Sequence, residues 1–200
     1  NPQVPAKSVK ELIDLAKVHP GTLNFANNGA GTLTSLVVEL LKLQAGISVV
    51  QVPYRGDNFS IADVIAGQVQ AMFSNSPVAL PHIAAGRLRG LAVTSARRSL
   101  AAPDLPTMEE AGVPNFKVAI WQGFSARADT PKPIVDKLNA SMREALEVPD
   151  VAARFKQLGV ERVGSTPEQF SALVEREIET WGDVVRRSDI KLNRSASTHL

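Results

Sequence analysis

The chain has 200 residues, 44% of them apolar and 21% charged, with a formal net charge of +2. That composition can bury a core, no run approaches the ~18 consecutive apolar residues of a membrane span, and the small, scattered basic excess excludes a nucleic-acid footprint. The absence of cysteine excludes disulfides, zinc–thiolate sites, iron–sulfur clusters and thiol nucleophiles.

The chain starts Asn1-Pro2-Gln3-Val4-Pro5, with neither Met nor a basic, then apolar, leader; it is expected to be a processed protein or a piece that starts inside a longer one. Ser8-Val9-Lys10-Glu11 is a capping box that predicts a helix burying Val9, Leu12, Ile13 and Ala16. A strand is expected over 22–26, then the turn Asn27-Asn28-Gly29-Ala30-Gly31-Thr32 and a helix from Leu33 to Leu43 stopped by Gly46. A second strand over 49–53 leads through Tyr54-Arg55-Gly56-Asp57 to a helix over 60–66, closed by Gly67. A third over 69–73 leads through Ser74-Asn75-Ser76-Pro77 to a helix reaching Ala85, and a fourth is expected over 88–94.

A second capping box, Thr107-Met108-Glu109-Glu110, predicts a short helix ending at Gly112, and 117–125 reads as a long final strand. Helices over 131–147 and 150–158, a brief strand over 161–163, and a helix from Pro167 to Arg187 complete the pattern, before a polar end from Arg194 to Leu200 that reads as a tail or cloning scar. Strands apolar at every position and separated by helices predict an α/β fold with a parallel sheet covered on both faces. Residues 1–125 carry 10 basic and 8 acidic residues, whereas 126–200 carry 12 of each in a shorter length. An α/β lobe over 1–125 and a mostly helical part over 126–193 are therefore expected, with a boundary near Phe124 to Asp129.

Enzyme constellations are thin. His19, His82 and His199 have no second ligand at metal spacing, and no serine stands in a nucleophile elbow, so neither a metal site nor a catalytic residue is expected. The glycine turn after the first strand has two of the three glycines of a dinucleotide loop but Thr34 where the third belongs. Its Asn27, Asn28, Gly29, Gly31 and Thr32 suit a helix N-terminus that takes an anion, or the glycines merely permit a tight turn. Tyr54, Arg55, Gly56 and Asp57 offer a guanidinium and an aromatic wall, although Arg55 could equally pair with Asp57 at the surface. Ser74 and Asn75 form a third polar turn. In open parallel sheets ligands bind beyond the carboxyl ends of the strands, so these three turns form one candidate site.

The blocks Val4-Pro5-Ala6-Lys7-Ser8-Val9-Lys10-Glu11, Pro20-Gly21-Thr22-Leu23-Asn24-Phe25-Ala26, Val52-Pro53-Tyr54-Arg55-Gly56, Gly67-Gln68-Val69-Gln70-Ala71-Met72-Phe73, Gly86-Arg87-Leu88-Arg89-Gly90-Leu91-Ala92-Val93-Thr94, Leu105-Pro106-Thr107-Met108-Glu109-Glu110-Ala111-Gly112 and Thr166-Pro167-Glu168-Gln169 resemble the Bug-type periplasmic solute-binding proteins of tripartite tricarboxylate transporters. The resemblance covers residues 1 to about 193. It implies a periplasmic-binding-protein-like (type II) α/β fold with no cofactor, here the second lobe over 1–125 plus the C-terminal portion of the first. It also implies a periplasmic receptor that holds a small organic carboxylate between hinged lobes, with a hinge near Gln122 to Asp129, and delivers it to a membrane permease. The family's binding turns fall on Ala26 to Thr32, Tyr54 to Asp57 and Ser74 to Ser76. Departures are Asn27 and Asn28 where serines are common, Asp57 for glycine and Ser74 for aspartate; they imply a plain carboxylate rather than an amino acid. The opening stretch of the first lobe has no counterpart here, so the face carrying Ile134, Leu138, Met142 and Leu146 is expected to be covered by homodimerisation through exchange of C-terminal helices. The alternatives are a fragment that binds nothing and self-associates, or a small-molecule hydrolase or transferase.

Overall fold

The computed structural model describes residues 1–188 and residue 190; the end from Arg194 to Leu200, with His199, lies outside the described residues. Helix α1, Val9–Val18, opens on Ser8, whose hydroxyl accepts from the Glu11 N–H, and buries Val9, Leu12 and Ala16. Then strand and helix alternate: β1 (Asn24–Asn27), α2 (Leu33–Ala45), β2 (Val50–Pro53), α3 (Asp57–Ala66), β3 (Ala71–Met72) and α4 (Ser76–Ala84). The three strands are parallel in the order β2-β1-β3, so β1 is central and hydrogen-bonds on both edges.

Strand register divides the two faces. Ala26 pairs with Val52 on one side and Met72 on the other, and this row packs with Ile61, Val64, Val69 and Leu88 against α3. Because side chains alternate along a strand, Phe25, Gln51 and Ala71 occupy the opposite row. There Phe73 lies between Phe25 and Phe116, with ring centroids 6.2 and 6.0 Å apart. Right-handed crossovers, the rule for parallel strands, place α2 and α3 on opposite faces of the sheet. Seven residues of α2 are buried, among them Val37, Val38 and Leu41.

The expected strand over 88–94 forms no ladder among the described residues: it makes an isolated parallel bridge from Val93 to Thr107 and a further backbone bond at Thr94. The expected strand over 117–125 forms no ladder: Val118 N–H bonds to Thr94 O at 2.8 Å, while Ile120 and Phe124 are exposed. Apolar, β-favouring residues become a strand only where a second backbone lies alongside. The capping box at Thr107 does form, with Thr107 N–H to Glu110 Oε2 at 2.7 Å and Glu110 N–H to Thr107 Oγ1 at 3.1 Å, but it closes a single turn rather than a helix. Nor is Glu161–Val163 a strand: the Arg162 guanidinium bonds to Leu146 O and pairs with Glu147, so side-chain contacts hold this segment.

The chain forms two compact units, one of Asn1–Ala119 with the described residues from Asp183 on, the other of Ile120–Gly182. The expected boundary near Phe124 to Asp129 thus falls inside the second unit. That unit contains α5 (Lys132–Glu147), α6 (Pro149–Gln157) and most of α7 (Pro167–Arg187). Trp121 meets Phe170 edge to face at 5.3 Å, yet α5 and α6 bury no residue.

Phe116 is fully buried although no regular element carries it. Replacement by alanine is expected to cost about 3–5 kcal/mol, as for other buried aromatics. Urea unfolding followed by circular dichroism measures this; a loss under 1 kcal/mol would mean the aromatic row does not hold the segment to the sheet.

Candidate functional site

With the order β2-β1-β3, the connection leaving β1 goes to β2 while β3 lies on its other side, and open parallel sheets place their ligand crevice at such a point, here beyond the carboxyl ends of β1 and β3. Three turns arrive there, one after each strand. Each delivers the chain into a helix whose first N–H groups have no intrahelical partner. At α1 the cap side chain fills that role, but at α2, α3 and α4 it does not. The Thr32 hydroxyl turns back to Gly29 O at 2.7 Å. Gly56 has no side chain, and its φ of 153° and ψ of 166° belong to a region essentially reserved for glycine. Asn75 directs its amide to a different residue altogether.

That residue is Asp57, the first of α3. Its Oδ1 accepts from Asn28 Nδ2 at 2.7 Å, and its Oδ2 accepts from Asn75 Nδ2 at 2.9 Å and Asn75 N–H at 3.3 Å, with Ser74 Oγ at 3.5 Å. One carboxylate therefore joins all three turns. An ionised carboxylate is acceptor-only, so it fixes the Asn28 amide with its NH₂ toward Asp57. Asn28 Oδ1 is left buried without a hydrogen-bond partner. An acceptor in that state costs about 1–3 kcal/mol until a donor reaches it.

Four of the expected site residues, Asn28, Asp57, Ser74 and Asn75, are thus brought together. The backbone of Gly29 and Gly31, with φ of 107° and 81°, shapes the first turn around them. Three others point to different work. Asn27 is buried; its Nδ2 donates to Gln51 Oε1 at 2.6 Å and its Oδ1 accepts from Gly29 N–H at 2.8 Å. Tyr54 packs with the cluster on the α3 face, and its hydroxyl donates to Asp63 Oδ2 at 2.8 Å, so it is no wall of the crevice. Arg55 is exposed and, among the described residues, forms neither the expected ion pair with Asp57 nor any other.

Sequence reasoning missed two supports. Asn28 N–H donates to Thr34 Oγ1 at 2.9 Å, which ties the turn to α2. Behind Asn27, Gln51 Nε2 donates to Glu39 Oε1 at 2.6 Å, and Lys42 pairs with the same oxygen at 2.7 Å. The available signal was polar residues inside apolar runs: Gln51 within a strand, and Glu39 with Lys42 three positions on within α2. Among the described residues no group of three His, Cys, Asp or Glu could hold a metal ion, and no helix is long and apolar enough to cross a membrane.

Comparison with solved structures defines the class. The fold matches that of BugD, described as a periplasmic binding protein, with a TM-score of 0.81 and 32% identity over 94% of this chain and 64% of that one. It matches Rhodopseudomonas palustris Rpa4515, solved with adipate, with a TM-score of 0.82 and 33% identity over 92% of this chain and 62% of that one. The chain is a periplasmic-binding-protein-like α/β protein. The model of the tripartite tricarboxylate transporter family receptors, TctC, matches residues 1–190, and the chain belongs to that family. BugT of Bordetella pertussis is 36% identical over 192 residues, 96% of this chain and 59% of that protein. The chain thus spans about three fifths of the length of these relatives, members of a family of receptors rather than enzymes.

Burial, and then the bond to Asp63, push the Tyr54 phenol above its ordinary value of 10.0. A raised phenol favours folding most when it stays protonated, so its contribution is fully present below pH 10 and is lost as pH rises through the folded value. Tyr54→Phe should flatten the alkaline loss of stability above pH 10, measured by urea midpoints at pH 8 and 10.5. An unchanged slope would place the Tyr54 hydroxyl in solvent.

Proposed function

We propose that the protein is the solute receptor of a tripartite tricarboxylate transporter, taking a small organic carboxylate at the crevice beyond β1 and β3 and passing it to membrane permease subunits from the periplasm. In this reading residues 1–125 form the second lobe of the receptor, 126–193 the C-terminal portion of its first lobe, and 194–200 a tail. The observation that carries it is the set of three helix N-termini gathered at one sheet edge without capping side chains. Their N–H groups and dipoles favour negative charge, and a hydrogen-bonded group from the solute can take the place of a cap. The Rpa4515 structure with adipate is a precedent for a dicarboxylate in this fold. Arg55, exposed in the turn after β2 and without an ion-pair partner among the described residues, supplies a guanidinium suited to a carboxylate.

A thermal-shift screen of C4 to C6 di- and tricarboxylates, plain and amino-substituted, tests this. A ligand held only by the folded state at 100 times its dissociation constant adds about 2.7 kcal/mol. Arg55→Ala should then weaken the best ligand about tenfold in calorimetry with no change in the unliganded midpoint. Unchanged affinity would assign Arg55 to the general surface, and a flat screen would remove the carboxylate reading.

Self-association is a second reading, favoured by the apolar stripe on α5, where Ile134 is 50% and Leu138 48% exposed. Light scattering at micromolar concentration should then give a homodimer that Ile134→Glu dissociates. A monomer under those conditions leaves the receptor reading alone.

A further inference from the structure

Asp57 sets what the crevice admits. The side-chain donors that converge there, Asn28 Nδ2, Asn75 Nδ2 and the Ser74 hydroxyl, all face the Asp57 carboxylate, as does the Asn75 N–H. The chain has filled this part of the site with an anion of its own. A solute carboxylate placed against the same turns would meet like charge and find these donors in use. Among the described residues no cation forms an ion pair with Asp57; its partners are neutral amides and a hydroxyl. Its negative charge is hydrogen-bonded but not neutralised. Beside it stands Asn28 Oδ1, a buried acceptor that the Asp57–Asn28 bond holds in place and that nothing in the chain satisfies.

We propose that Asp57 is the specificity-determining residue of this crevice and that, with Asn28 Oδ1, it reads an ammonium group, so that the solute is an amino-substituted carboxylate. This rests on the receptor reading above and narrows it. It also reverses the expectation of a plain carboxylate that the departures at Asn27, Asn28, Asp57 and Ser74 implied. An ammonium brings three donors and the opposite charge, which answers the open charge of Asp57 and the unmet acceptor together. A hydroxyl answers only the acceptor. The solute's carboxylates are left to the uncapped N-terminus of α2 and to Arg55, away from Asp57.

Isothermal calorimetry with succinate and its 2-amino derivative, aspartate, on the purified protein and on Asp57→Asn tests the assignment, with the unliganded thermal midpoint as a check on folding. Asn keeps the size of the side chain and part of its hydrogen bonding but removes the charge. The protein should bind aspartate at least tenfold more tightly than succinate, and Asp57→Asn should abolish or invert that order by raising succinate affinity while lowering that of aspartate. Equal affinities, or a preference for aspartate that survives in a folded Asp57→Asn, would overturn the assignment and leave the carboxylate receptor standing. Failure of both acids to bind, with longer amino and plain dicarboxylates also inert, would overturn the receptor reading together with it. Should Asp57→Asn fail to fold, Asn28→Asp supplies a second test: it replaces the donor to Asp57 with a like charge and should weaken succinate further, and unchanged or tighter succinate binding would count against the assignment.

Discussion

The carboxylate of Asp57 is the point on which the arrangement of the first unit's three strand-end turns depends. Four hydrogen bonds from the two flanking turns end on its two oxygens, and Asp57 itself belongs to the turn between them. Without such an acceptor the amides of Asn28 and Asn75 would lose their common partner, and the three turns would be tied only through the sheet behind them. Bonds to an ionised group are about twice as strong as neutral ones, so a single charged side chain can set loop positions that short polar residues could not set among themselves. Its location at the first position of α3 favours it further, because the helix dipole stabilises an anion there.

That convergence is a consequence of the sheet. With β1 in the centre and both neighbours parallel, all three strands end on the same edge, and their following turns must meet above it. The alternation along β1 separates the work of the two faces. Ala26 packs toward α3 with Val52 and Met72, whereas Asn27 is turned to the side of Gln51 and Glu39. A buried amide, a buried glutamate and Lys42 therefore anchor the first turn from behind, and Asn28, one residue on, is free to face Asp57. A one-residue slip in β1 would exchange those roles.

Much of this was legible in the residues. The strand–turn–helix rhythm, the parallel sheet and the choice of three turns followed from apolar runs, capping signals and the rule that ligands lie beyond strand ends. The α2 start after Thr32 and the stops at Gly46 and Gly67 agree with the structure. What could not be read was pairing. The runs over 88–94 and 117–125 have strand composition, but a ladder needs a neighbouring backbone that composition does not reveal. Within the turns, residue type was a poor guide to direction: Asn27 and Asn28 are identical and adjacent, yet one is a buried support and the other a crevice residue. Arg55 and Asp57 invited an ion pair by proximity, while the donors that Asp57 takes come from positions 29 and 18 residues away. A resemblance that spans nearly the whole chain gave the family; it did not give the hydrogen-bond partner of the one residue that departs toward negative charge.

The second unit offers a contrast. Its helices α5 and α6 are amphipathic but bury no residue. The hydrogen bonds that join separate turns through one carboxylate lie on the edge of the first unit. The most direct measurement is an NMR titration that follows the side-chain NH₂ resonances of Asn28 and Asn75 during addition of aspartate. A solute held at the three turns predicts that both shift in step with the calorimetric saturation, while the NH₂ of the buried support Asn27 moves little. Saturable binding with both resonances unmoved would contradict a site at Asp57.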